Sequence, residues 1–113
     1  MHMANANVHE FSNDNWQAEV VGSSIPVLVD FWAPWCPPCR ALAPTIDKVA
    51  DSFAGKVKVG KVNVDDNQEL AERYRIEGIP ALLVFKGGDQ PAEKIVGAVP
   101  ERELVNVLNR VVG

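Results

Sequence analysis

Apolar residues are almost unbroken along Ile25-Pro26-Val27-Leu28-Val29-Asp30-Phe31-Trp32. A β-branched run of this kind, without polar alternation, predicts a central strand buried on both faces. Ala33-Pro34-Trp35 breaks it. From about Cys36 to Phe53 the pattern changes period: Ala41, Leu42, Thr45, Ile46, Val49, Ala50 and Phe53 recur at helical spacing, and Gly55 follows as a stop. Pro44 inside this helix predicts a kink. Val57, Val59, Val62 and Val64 predict the next strand, and Asp65-Asp66-Asn67 turns into a helix through Leu70, Ala71 and Tyr74. Gly78-Ile79-Pro80 interrupts before the strand Ala81-Leu82-Leu83-Val84-Phe85. Gly87-Gly88-Asp89 reads as a turn into the strand Glu93-Lys94-Ile95-Val96, and Pro100 opens an amphipathic helix through Leu104, Val105, Leu108 and Val111. Nearer the start, Asn7 to Phe11 reads as a short edge strand. Ser12-Asn13-Asp14 offers caps for a short helix over Trp16, Ala18, Val20 and Val21, closed by Gly22-Ser23-Ser24.

The predicted order is β-α-β-α-β-α-β-β-α. It implies an α/β fold with a central mixed sheet, helices on both faces, and an antiparallel edge added by the closing hairpin. The 113 residues, 47% of them apolar, can bury a core without metal or disulfide staples. They divide into a flexible N-terminal arm over residues 1–6 and one domain over 7–113. The doubled start Met1-His2-Met3 is set aside from the fold argument as a candidate cloning remnant. There is no internal repeat, linker or low-complexity tract.

Charge narrows the function. A net charge of −4 leaves no basic stripe for nucleic acid or an anionic membrane. No stretch approaches the ~20 apolar residues of a membrane span. Residues 1–7 lack the basic and apolar regions of a secretory signal, so a cytoplasmic location is the expectation.

Cys36 and Cys39 are the only cysteines, and they are separated by Pro37-Pro38. In a reducing compartment a lone structural disulfide is unexpected, and Cys-x-x-Cys spacing marks a redox dithiol or half of a zinc site. The pair lies where a buried strand gives way to a helix. The first helical turn has unpaired N–H groups and the positive end of the helix dipole, which stabilise a thiolate, the nucleophile of disulfide exchange. One turn later the second thiol returns to the same face. Cys36, at the helix start and nearer the surface, is the expected attacking thiol, and Cys39 the resolving one. Two inert buried thiols are the structural alternative. Zinc needs further ligands, and the only histidines, His2 and His9, lie near the N-terminus.

The segment Val27-Leu28-Val29-Asp30-Phe31-Trp32-Ala33-Pro34-Trp35-Cys36-Pro37-Pro38-Cys39-Arg40 resembles the active-site segment of thioredoxins, usually written with Trp-Cys-Gly-Pro-Cys. Lys61-Val62-Asn63-Val64-Asp65, Gly78-Ile79-Pro80, Phe85-Lys86-Gly87-Gly88 and Val96-Gly97-Ala98 match the family in order and spacing, with about one extra residue in the hairpin. The resemblance implies the thioredoxin fold and a protein-disulfide reductase. It also implies disulfide-containing protein substrates, a thioredoxin reductase as electron donor, no tightly held cofactor and a monomer. A disulfide oxidase or isomerase of the same fold, a glutaredoxin, and a non-catalytic binding subunit are the alternatives. The oxidases and isomerases often carry His between the cysteines, where this chain has two prolines.

The resemblance also assigns individual residues. Asp30, by pattern alone either buried or pointing out at a strand end, becomes the base behind Cys39. Lys61, by pattern a solvated strand lysine as readily as anything else, matches the family's lysine beside that carboxylate. Trp35, Ile79, Pro80, Gly97 and Ala98 become the substrate rim, with the Ile79–Pro80 bond cis where base rates favour trans. Trp32 packs beneath the active-site loop. Ala81 replaces the family's usual Thr. Pro37 replaces its Gly. This substitution removes an N–H that could face the Cys36 thiolate and stiffens the loop, and both effects favour the disulfide. Pro38 disfavours a helical conformation at Pro37 and opposes them.

Overall fold

The computed structural model describes residues 5–113; Met1-His2-Met3 and the first part of the 1–6 arm lie outside the described residues. Strand β1 is Val8–Glu10, β2 Val27–Trp32, β3 Lys58–Asn63, β4 Ala81–Phe85 and β5 Pro91–Val96. Helix α1 is Pro37–Ser52, α2 Gln68–Arg73 and α3 Glu101–Val112. All nine predicted elements occur in the predicted order. The expected first helix is a single wide π-type turn, Gln17–Val21, closed by the Gly22 N–H on the Gln17 carbonyl at 2.9 Å. None of its proposed caps serves it: the N-cap is Trp16, with no side-chain capping bond. Within α1, Pro44 has no N–H for the Arg40 carbonyl, yet the helix continues past it to Ser52.

The five strands lie in the order β1-β3-β2-β4-β5. β1, β3 and β2 are parallel, while β4 runs antiparallel to β2 and β5 antiparallel to β4. The mixed character therefore begins in the centre of the sheet and is not confined to an edge hairpin. The chain re-enters at the end it left, and Ala81 pairs with Phe31 near the end of β2.

Alternate residues of β2 face different helices. Val27, Val29 and Phe31 pack with Trp16, Val20, Leu70 and Phe85 on one face, while Leu28 packs with Leu42, Ile46, Leu104 and Leu108 on the other. Asp30 shares parity with Leu28, so it faces the α1 and α3 side. At the sheet edge Phe11 lies against the bare Cα of Gly60, where any Cβ would collide with its ring. The arm reaches α1 from residue 5: Asn5 Nδ2 donates to the Asp47 carbonyl at 3.3 Å and to Asp51 Oδ1 at 3.0 Å.

Candidate active site

One end of the sheet gathers every candidate residue. β2, β3 and β5 finish there and β4 begins there, a consequence of the antiparallel re-entry. Trp35 and Cys36 follow β2, Asp65 follows β3, Ile79 and Pro80 precede β4, and Gly97 and Ala98 follow β5. α1 starts at the same end. Cys36 is its N-cap, with φ −98° and ψ 105°, and Pro37 and Pro38 occupy the first two helical positions, where a missing N–H is tolerated.

Cys36 and Cys39 are joined as a disulfide with their Cα atoms 5.3 Å apart. The Cys39 N–H donates to Cys36 Sγ at 3.3 Å, so the sulfur takes the place of a capping side-chain oxygen. The donor that reaches the sulfur belongs to the third helical residue, and a proline at the first position leaves it in place.

Exposure does not separate the sulfurs as expected. Cys36 is 3% exposed and Cys39 2%. They differ by what lies around them. Cys36 Sγ is 3.8 Å from the Ile79 carbonyl oxygen, a plain contact because a disulfide sulfur carries no hydrogen. Cys39 instead lines a cleft of about 670 Å³ on the side of β1 and β3, with Trp32, Arg40, Pro44, Asp47 and Lys61.

Asp30 is 1% exposed, and neither carboxylate oxygen has a hydrogen-bond partner. It is buried and does not point out at a strand end. Burial pushes its carboxyl up from the ordinary 3.8 to about 7, and the positive charge of Lys61 pulls the other way. Lys61 is the register partner of Asp30 on β3, and its ammonium lies 5.3 Å from the centre of the Trp32 ring. Trp32, Ile79 and the two cysteines pack around buried Ala33, which places Trp32 under the loop as expected.

The rim is apolar. Trp35 is 63% exposed, and the Ile79–Pro80 bond is cis. The Gly97 N–H donates to the Pro80 carbonyl at 2.8 Å, and Gly97 has a positive φ of 98°, which suits a residue without Cβ. Ala98 is exposed beside it. Three residues were missed by sequence reasoning. Val96, 61% exposed, extends the rim. Asp65 accepts from the Trp35 indole, and Arg40 donates to the Pro34 carbonyl. Both charged residues stood inside the matched motifs, but spacing reveals neither the partner of Asp65, 30 positions away, nor that of Arg40, six positions back across the loop.

A helix-capping dithiol pair with a buried carboxylate on the same face of the sheet defines a thiol–disulfide exchange protein. The thioredoxin family model matches residues 7–110. The chain is 52% identical over 95 residues to Thioredoxin 1 of Synechococcus elongatus, covering 84% of this chain and 88% of that one. It is 48% identical over 101 residues to Thioredoxin 1 of Nostoc sp., covering 89% and 94%. It is also 48% identical over 98 residues to Thioredoxin M5, chloroplastic, of Oryza sativa, where it covers 87% of this chain and 56% of the relative. The chain belongs to the thioredoxin family, and it is a thiol–disulfide oxidoreductase. Among the described residues no helix is long and apolar enough to cross a membrane.

Proposed function

We propose that the protein reduces disulfides in other proteins, with Cys36 as nucleophile, Cys39 as resolving thiol and Asp30 as the proton acceptor for Cys39. In the reduced protein the Cys36 thiolate attacks one sulfur of a substrate disulfide. A bond forms between Cys36 and that sulfur, and the other substrate sulfur leaves as a thiolate. Cys39 then passes its proton to Asp30 and attacks Cys36 Sγ, which releases the second substrate thiolate and leaves the Cys36–Cys39 disulfide. Two electrons have moved from the protein to the substrate. A reductase restores the dithiol.

The observation that carries this reading is the unpartnered Asp30 carboxyl on the sheet face that α1 covers, with a pKa of about 7. A group of that acidity accepts and returns a proton near neutral pH. Lys61 is the charge that limits how far the carboxyl rises. Trp35, Ile79, Pro80, Gly97 and Ala98 form the surface that receives an extended substrate segment, with the Ile79 backbone available for strand-like pairing. Pro37 and Pro38 hold the dithiol turn stiff. We take the working form to be a monomer in the cytoplasm, a reducing compartment that keeps a dithiol supplied with electrons.

Dithiothreitol-coupled reduction of insulin tests the activity, and the reduction potential of the Cys36–Cys39 couple tests its direction. A potential near about −270 mV supports the reductase, whereas one near about −120 mV belongs to an oxidase and overturns it.

A further inference from the structure

Three of the five residues from Pro34 to Pro38 are prolines, so the loop carrying Trp35 and Cys36 has lost three backbone donors. Two backbone bonds hold it internally: the Cys36 N–H to the Ala33 carbonyl and the Arg40 N–H to the Cys36 carbonyl, each 3.2 Å. Pro34 and Trp35 are exposed and gain little from packing. Two side chains from separate elements reach them. On the α1 flank, Arg40 Nη1 donates to the Pro34 carbonyl at 2.8 Å. On the opposite flank, the Trp35 indole Nε1–H donates to the Asp65 carboxylate, 3.0 Å from Oδ2 and 3.3 Å from Oδ1. Asp65 is itself fixed at the end of β3, where its N–H donates to Asn63 Oδ1 at 2.9 Å.

We propose that Arg40 and Asp65 are positioning residues for Trp35, two latches that hold the β2–α1 loop so that the indole is already aimed at an incoming protein substrate. Neither latch needs to touch substrate or sulfur. The inference deepens the proposed function and rests on its reading of Trp35 as a substrate-contact residue. Its physical basis is preorganisation. An exposed indole that swings freely must be ordered when substrate binds, and one already held by hydrogen bonds to charged groups has less freedom to lose. A small disulfide needs only the Cys36 sulfur and does not use the indole. The latches therefore act on affinity for protein substrates and leave the exchange step alone.

The test pairs a motional readout with a kinetic one in Arg40→Met and Asp65→Ala. ¹⁵N relaxation of the Trp35 indole N–H reports its picosecond-to-nanosecond order. Steady-state kinetics compares insulin with a small aromatic disulfide. The indole order parameter is expected to fall in both variants. KM for insulin rises about three- to tenfold with kcat within about twofold, and KM for the small disulfide stays within about twofold. Arg40→Lys, which keeps the charge but loses the planar fork, falls between parent and Arg40→Met. An indole as ordered in both variants as in the parent overturns the proposal, and so does a loosened indole with unchanged insulin KM. Trp35→Ala tells the two layers apart. A raised insulin KM in Trp35→Ala alone keeps the contact reading and removes the latches, whereas an unchanged KM there removes both.

Discussion

On the sheet face covered by Trp16 and Tyr74, the polar atoms of the Trp16–Tyr74 pair have partners. The Trp16 indole donates to the Tyr74 hydroxyl at 3.2 Å, and that hydroxyl donates to the Asp89 carbonyl at 2.9 Å. Trp16, Tyr74 and Phe85 stand with ring centroids 5.4 Å apart pairwise, a tilted or edge-on arrangement that suits aromatic quadrupoles. On the other face, one residue back from Phe31 along β2, Asp30 is buried just as deeply with both oxygens unpartnered. Two neighbouring positions of one strand thus meet opposite treatment. On the aromatic face the buried indole of Trp16 is satisfied. On the face that α1 covers an unsatisfied carboxyl is kept, although an unpaired buried polar group costs stability. In the proposed mechanism that cost supplies a proton acceptor of raised pKa.

The largest effect should come from the sulfurs that the Asp30 face supports. Cys36→Ser should abolish turnover, while Cys39→Ser should accumulate a mixed disulfide with the substrate, visible by mass spectrometry. In the reduced parent, Cys36 should alkylate near neutral pH and Cys39 slowly. A mixed disulfide forming through Cys39 in Cys36→Ser would reverse the two roles.

Asp30→Asn sharpens the comparison through pH. Below pH ~4 the carboxyl is protonated in both folded and unfolded chains. Between ~4 and about 7 the unfolded chain has released the proton and the folded chain still holds it, so Asp30 makes stability fall as pH rises. Above about 7 the loss levels off. At roughly 1.4 kcal/mol per pH unit, the displacement from 3.8 to about 7 is worth on the order of 4 kcal/mol. Denaturant titrations of the oxidised protein should therefore show the stability of Asp30→Asn gaining on the parent by about that amount between pH 4 and 7.5. The variant should also resolve its mixed disulfide slowly and lose the rate inflection near pH 7. A parallel pair of stability curves would show that the carboxyl does not titrate as its burial requires.

The aromatic face should respond in the opposite sense. Tyr74→Phe removes the hydroxyl that links Trp16 to the Asp89 carbonyl. It should lower stability by about 1 kcal/mol, the usual worth of such a bond, and leave insulin reduction unchanged. Reduced activity at preserved stability would mean that the two faces are not separate.

The smallest effect is expected at Pro37. With the Cys39 N–H as donor to the sulfur, Pro37→Gly leaves that bond in place and adds only freedom to the open dithiol. The couple should become about threefold more oxidising, ~15 mV, measured against a glutathione buffer. A clear move to more negative values would show that the Pro37-Pro38 turn opposes ring closure.

Local patterns in this chain carried far. The unalternating run into Trp32, the helical recurrence from Leu42 to Phe53 and the breaks at Gly55 and Gly87-Gly88 all locate elements within a few residues, because strand and helix periods are written in near neighbours. The placement of Cys-x-x-Cys at a strand-to-helix junction was legible for the same reason, and it already specified the chemistry of a capped thiolate. Tertiary structure decided the rest. No local signal says that β4 runs against β2; that is set by the end of the sheet at which the chain re-enters. The similar burial of Cys36 and Cys39, the sealed carboxyl of Asp30 and the grip of Asp65 on Trp35 depend on what covers each face and which strand ends meet. Such contacts join residues tens of positions apart. A period of two or 3.6 tells a side chain which face it takes, and only the packed neighbours decide whether that face meets water, another chain segment or an unpartnered charge.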